Sequence, residues 1–211
     1  MNQPSSVMQS RAEPRDSLDD FPTQPWATRA LCEALAPRSR ILLARLTVRE
    51  PTANRGHMVK PLAEYFGRVE GSDIFDYGAG FPVADYLFGP APAMVDWTIT
   101  NPPFRQIEAF IDRALATSKR GVAIFARTSI LEGVDRYNRI FSERPPSLFL
   151  QFAERVVLHK GKLTRKGSTA TSYCWMVWEK DRRGNRSKRL GWIPPCRKRL
   201  ERAADYEGYH D

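Results

Sequence analysis

Asn101-Pro102-Pro103-Phe104 follows directly on Met94 to Thr100 (MVDWTIT), an apolar run that reads as a buried strand. The two prolines fix φ and lack N–H groups, so the chain leaves the strand extended with free carbonyls. In an open parallel sheet the carboxyl ends of the strands are where ligands bind. Asn101 can offer its side-chain carbonyl and Pro102 its backbone carbonyl, two acceptors converging on one amino group, while Phe104 supplies a flat apolar face. Such a seat suits a planar amine. The exocyclic nitrogen of adenine is a poor nucleophile because its lone pair is delocalised into the ring. Two acceptors on its hydrogens favour the pyramidal form, which frees the lone pair, and positioning supplies most of the rest.

The Asn-Pro-Pro-Phe element and its strand resemble the catalytic motif of S-adenosylmethionine-dependent amino-methyltransferases, especially the adenine-N6 enzymes of bacteria and phages. The resemblance runs over roughly Phe21 to Trp178. It implies Asn101, Pro102, Pro103 and Phe104 as the catalytic group, S-adenosyl-L-methionine as the cofactor, Asn101 also touching it, and adenine in DNA as the substrate. It further implies a cofactor loop after the first strand, and Val48 to Met58 (VREPTANRGHM) stands in that place. There Glu50 matches the acid that ends the strand, and Thr52, Ala53, Asn54 and Gly56 the loop that approaches the methionine part. Asn54 replaces the more usual first glycine; Asn tolerates the left-handed backbone, so the turn can survive.

The family pattern also asks for an acid at the end of the next strand, to hold the ribose hydroxyls, as in other doubly wound nucleotide folds. Reading Arg68 to Ile74 as that strand puts Asp73, with Ile74 beside it, in the position, and Asp76 is the near competitor. Asp85 resembles the family's adenine-contacting acid. Phe21 to Thr28 (FPTQPWAT) resembles the threonine-proline element that closes over the methionine end of the cofactor. For Thr23 and Trp26 the competing reading is a helix cap and a core anchor.

Around these residues helical and strand patterns alternate. Apolar residues at Trp26, Ala30, Leu31, Ala34 and Leu35 make one helix face, and Ile107, Phe110, Ile111, Ala114 and Leu115 another. Pro61 to Phe66 reads as a helix with proline in its first turn, where a missing N–H costs nothing. Gly121 to Ala126 is a buried strand, and Ala153 to His159 and Thr171 to Glu179 are expected as two more, joined through Gly161 and Gly167 as a late hairpin. Gly71 to Pro92 is a long connection that should line the cofactor site. The expected fold class is α/β: a class I methyltransferase Rossmann-like doubly wound sheet, mostly parallel, with a late antiparallel hairpin.

At 211 residues the chain fits one domain, expected at 21–179, with a disordered segment at 1–20 and a basic tail at 180–211. Cys32, Cys174 and Cys196 lack a Cys-x-x-Cys pair, so neither a disulfide framework nor a metal site is expected, and a reducing cytoplasm is the natural setting. No apolar run is long enough to span a membrane, and no signal pattern opens the chain. The chain carries 33 Lys/Arg against 24 Asp/Glu, a net of +9. Almost all of that excess lies between Lys180 and Arg202, where ten basic residues face only Asp181 and Glu201. A run like this is a solvated segment or a phosphate-contacting arm. The loop Lys160 to Thr171 (KGKLTRKGSTAT) is a second basic candidate beside nucleic acid. Three other functions compete: methylation of structural RNA, methylation of a protein glutamine, and nucleic-acid binding on a decayed methyltransferase scaffold, the last motivated by Asn54.

Overall fold

The computed structural model describes residues 19–180 and 188–207. Helix α1 (Pro25–Leu35) starts on a proline at its first position, where the absent N–H is no loss. Strand β1 (Thr47–Glu50) leads through α2 (Val59–Ala63) to β2 (Arg68–Gly71). Strand β3 (Val95–Thr100) is followed by α3 (Ile107–Thr117), which runs without a loop into β4 (Ser118–Arg127). A short helix α4 (Val134–Arg136), continuing as a π turn to Phe141, precedes β5 (Leu148–Phe152). Strands β6 (Tyr173–Glu179) and β7 (Arg189–Ile193) and helix α5 (Arg197–Leu200) complete the chain.

The seven strands lie in the order β2-β1-β3-β4-β6-β5-β7. All the pairings are parallel except those of β6, which is antiparallel to both β4 and β5. From β1 the chain first moves outward to β2 and then crosses to β3 on the other side, so strand order reverses between β1 and β3. In an open α/β sheet that reversal opens a crevice at the strands' carboxyl ends. Glu50 and Asn101 stand there.

Both sheet faces are covered. One carries α1 with Trp26, Leu31, Val48, Ile99, Phe125 and Trp175; the other carries α3 with Ile111, Ile124, Ile140 and Met176. Gly121 is required where β4 passes β3, because a Cβ there would lie 2.4 Å from the Trp97 ring. The fold class is as the sequence implies: an α/β, mostly parallel, doubly wound sheet with late antiparallel strands.

Four expectations are corrected. The strand expected at Ala153–His159 is instead β5, five residues earlier. There Leu148, Leu150 and Phe152 pack on the α1 face and Phe149 on the α3 face. Glu154 then turns away from the sheet to accept the N–H groups of Cys196 and Arg197 at 2.6 and 2.7 Å. The strand expected to reach Ile74 ends at Gly71, and Asp73 instead bridges Val83 across the long connection. Residues 188–207 are not a detached tail: β7 is an edge strand of the sheet, and Ile193, Cys196 and Leu200 enter the core. Asp205 binds the buried Arg29 at 2.7 Å. Finally, Asp19 and Asp20, expected in a disordered segment, are placed by the fold, Asp19 exposed at the edge of the crevice and Asp20 buried beside it; the rest of that expectation, residues 1–18, lies outside the described residues.

Candidate active site

A crevice opens at the β1/β3 reversal, lined by Thr23, Thr52, Asn54, Asp73 and Asn101. Behind its Thr52 wall the Glu50 side chain is fully buried. Its Oε1 accepts the Thr52 N–H at 2.8 Å and the hydroxyls of Thr52 and Thr100 at 2.7 Å each, while Oε2 has no partner among the described residues. Burial outweighs these bonds and pushes the carboxyl up to about 7.

The loop above Glu50 is shaped by Asn54, whose φ of 51° is left-handed. Its side chain is fully engaged. Nδ2 donates to Asp20 Oδ1 at 2.6 Å and Oδ1 accepts the Arg55 N–H at 2.7 Å. Its backbone N–H donates to Asp73 Oδ2 at 2.8 Å. Gly56 follows at φ 85°, where a side chain would be strained, and a Cβ would meet the Phe81 ring at 3.2 Å. His57 is buried in the same wall, and burial lowers its imidazole to about 4.

Across the crevice, Asp73 is buried and its Oδ1 accepts the Phe75 N–H at 3.1 Å; burial raises its carboxyl above the ordinary value despite these donors. Asp76 accepts Gly78 N–H in an exposed turn and does not reach the crevice. Asp85 lines it, but Oδ1 is spent on the N–H groups of Leu87 and Phe88 at 2.8 and 2.9 Å. Ile74, Tyr77, Leu87, Phe88 and Phe110 supply the apolar lining.

The segment Asp19–Gln24 runs over the mouth as a strap. Asn101 Nδ2 donates to the Phe21 carbonyl at 3.1 Å and to Thr23 Oγ1 at 2.9 Å. Because a carbonyl can only accept, this pair fixes which end of the amide is nitrogen. Oδ1 therefore faces the other way and accepts no hydrogen bond among the described residues. At the strap's other end, Asp20 takes Arg55 at 3.1 Å as well as Asn54, and its backbone carbonyl accepts Gly161 N–H at 2.8 Å.

The structure thus brings Thr23, Thr52, Ala53, Asn54, Asp73, Ile74, Asp85, Asn101 and Pro103 to one crevice. Glu50, Gly56 and Pro102 stand one layer behind it. Trp26 does not belong to the site: it is 1% exposed and packs edge-on against Phe152 in the core, 5.6 Å between centroids. Phe104 lies beside the crevice, with the Arg127 guanidinium 4.2 Å over its ring and its N–H given to Asp19 Oδ2 at 3.0 Å. Asp19, Asp20, Tyr77 and Phe88 are site residues that sequence patterns did not single out. The Asp-Asp pair just before the threonine-proline element was the one available signal for the first two.

At least four of the ten basic residues of the segment are committed within the fold. Arg197 pairs with Glu201, Arg199 with Glu33 and Arg202 with Glu64, and Lys180 Nζ donates to the carbonyls of Leu115 and Ser118. Residues 181–187 lie outside the described set. The loop 160–171 sits beside the strap through the Gly161–Asp20 bond, with Arg165 over the Tyr206 ring at 4.8 Å. No helix among the described residues is long and apolar enough to cross a membrane.

No protein-family model matches the sequence, and no curated protein does. Among solved structures, the chain is similar to a type I restriction-modification methyltransferase subunit from Streptococcus thermophilus (TM-score 0.53, 14% identity, 80% of this chain and 47% of that one). It is also similar to a modification subunit of a putative type I restriction enzyme from Vibrio vulnificus YJ016 (TM-score 0.54, 12% identity, 89% of this chain and 51% of that one). A putative RNA methyltransferase from Pyrococcus horikoshii matches at TM-score 0.55 and 14% identity, over 80% of this chain and 91% of that one. The chain spans about half the length of the two type I subunits. At these identities the likeness is one of fold, and the fold is the one methyltransferases use.

Proposed function

We propose that this protein is an S-adenosylmethionine-dependent methyltransferase acting on the N6 amine of adenine in DNA. The observation that carries the reading is the fixed orientation of Asn101. Its nitrogen is held by the Phe21 carbonyl and Thr23, and its oxygen is left as an acceptor at the mouth of a switch-point crevice.

The crevice residues fit the cofactor. Asp73 offers a carboxylate to ribose hydroxyls, Ile74, Tyr77 and Phe88 with Asp85 make an apolar slot with one acidic edge, and Thr23 and the 52–56 loop close the methionine end. The unpartnered Oε2 of Glu50 gives that end a residual acceptor behind the loop. Bound there, the cofactor would supply an electrophilic methyl group on a sulfonium with a good leaving group. The chain's own part is to seat the amine. Asn101 Oδ1 and the Pro102 carbonyl accept its two hydrogens, favouring a pyramidal nitrogen whose lone pair faces the crevice. A base in duplex DNA must be flipped out of the stack to reach this place. Arg127 and the loop 160–171 stand near the mouth as phosphate contacts.

A second reading, adenine in structural RNA, is motivated by the likeness to the putative RNA methyltransferase. Incubation with labelled cofactor and separate pools of DNA, RNA and protein distinguishes the readings. Label in N6-methyladenine of DNA supports the first, label in RNA the second, and label in protein or in none refutes both.

A further inference from the structure

Asp19 stands at the catalytic loop with half of its carboxylate uncommitted. Oδ2 accepts the Phe104 N–H at 3.0 Å, and Asp19 lines the same crevice as Asn101 and Pro103. Oδ1 has no hydrogen-bond partner among the described residues. The placement is built. The Asp19 carbonyl accepts the Phe21 N–H at 3.0 Å in a tight turn, Phe21 is tied to Asn101, and Asp20 is tied to Asn54, Arg55 and Gly161. Three segments of the fold hold one carboxylate against the Asn-Pro-Pro-Phe loop.

Resting on the methyltransferase reading above, we propose that Asp19 is a further catalytic residue: its Oδ1 shares with the Pro102 carbonyl one of the target amine's two hydrogens, the other being held by Asn101 Oδ1, and takes up that proton as the amine loses it. As the nitrogen lone pair forms the new N–C bond, the C–S bond pair returns to sulfur and the nitrogen becomes positively charged. One of its N–H protons then passes to Asp19 Oδ1, leaving the neutral secondary amine. An anionic acceptor gains most where positive charge develops on the nitrogen, so its contribution falls on the chemical step rather than on binding. Three acceptors at one position also select against a ring carbonyl, which brings lone pairs to the same place.

Two substitutions separate this role from a structural one. Asp19→Asn keeps an oxygen for the Phe104 N–H but turns an NH2 donor toward the amine; Asp19→Ala loses both. The proposal expects Asp19→Asn to lower the single-turnover rate about 10²-fold, at least as far as Asp19→Ala, with cofactor affinity by calorimetry unchanged in both. A merely structural role predicts Asp19→Asn close to wild type and only Asp19→Ala impaired, and that order would overturn the proposal. A binding measurement without turnover runs in parallel, comparing oligo-dA with oligo-dI, which presents a carbonyl where adenine has its amine. Wild type should prefer oligo-dA and Asp19→Asn should lose or reverse that preference; an unchanged ratio counts against the role. If wild type methylates adenine and Asn101→Ala does not, while Asp19→Asn remains fully active, the inference fails and the methyltransferase reading survives. If wild type transfers no methyl group to any adenine, the reading fails and the inference with it.

Discussion

The pH dependences that Glu50 and His57 give to stability have opposite signs, and Glu50→Gln separates them. The Glu50 carboxyl rises from 4.5 to about 7, chiefly through burial. Between those pH values the folded protein holds a proton that the unfolded chain has released, so stability falls as pH rises through the window. At about 1.4 kcal/mol per pH unit the cost is about 3 kcal/mol once the pH exceeds the folded value. His57 has the opposite sign. Burial first, then the charges of Arg55 and Lys60, lower it from 6.5 to about 4. In that interval the unfolded chain binds the extra proton, so stability rises with pH by a similar amount, about 3 kcal/mol.

The two windows overlap, and the paired slopes nearly cancel there. Glu50→Gln keeps an oxygen for the donors from Thr52 and Thr100 and removes the ionisation, so only the His57 slope remains of the pair. Glu33 and Asp96, both lowered, contribute equally to both proteins and drop out of the difference; Asp73, which repels Glu50, loses that repulsion in the variant, a smaller contribution than burial. Urea unfolding at a series of pH values from about 4.5 to about 8 measures it. The stability of Glu50→Gln relative to wild type should improve by about 3 kcal/mol across the series, even if the new amide N–H, lacking a partner, offsets it by a constant. Curves that stay parallel to within about 1 kcal/mol would refute the reasoning, since raising the carboxyl by a single pH unit is already worth more than that.

Asn101→Ala should reduce methyl transfer about 10²–10³-fold, as loss of one preorganised hydrogen bond does in other sites, and leave cofactor affinity within a few fold; turnover assays and calorimetry check the two halves. Asp73→Ala should weaken cofactor binding by roughly 1.5–3 kcal/mol, whereas Asp76→Ala, outside the crevice, should leave it unchanged by the same calorimetry. Asn54→Gly removes a left-handed penalty of about 1 kcal/mol but also the charge-assisted bond to Asp20, worth about 1.5–3 kcal/mol, so cofactor affinity should fall rather than rise. Deleting 188–211 takes Ile193 and Leu200 from the core, each worth about 1.5–3 kcal/mol, and strips Asp205 from buried Arg29, about 3–5 kcal/mol; circular dichroism should show loss of the cooperative melt rather than a folded enzyme with a flatter salt dependence.

Much of the fold was legible because local rules and tertiary packing agree where strands are buried on both faces. Val95–Thr100 and Tyr173–Glu179 are apolar runs of strand length, and α1 and α3 carry helical stripes that became their buried faces. The site's parallel-sheet half was legible for a related reason, since Asn101 and Glu50 terminate such strands. The errors share a cause. Strand β7 (RLGWI) sits between charge-rich flanks, and its pairing with β5 is a long-range event that no local pattern records. Arg197, Arg199 and Arg202 counted as free positive charge because their partners Glu201, Glu33 and Glu64 are mostly distant in sequence. Trp26 fell inside the closing element's motif, yet it occupies the inward face of α1, where a large apolar ring is worth most.

Asn54 shows how a departure from a motif can be informative rather than damaging. A glycine there would supply only the left-handed turn. Asn supplies the turn and a side chain that reaches Asp20, and Asp20 in turn holds Arg55 and the 160–171 loop. The same strap, one and three residues on, sets the orientation of Asn101 through Phe21 and Thr23. The cofactor loop and the amine seat are therefore linked through Asp19–Thr23, so whatever orders the strap at one end acts on the acceptor at the other. On the proposed reading, a ligand that stabilises the strap also stabilises the orientation in which Asn101 is held for the target amine. By linkage the target must then strengthen cofactor binding by the same factor.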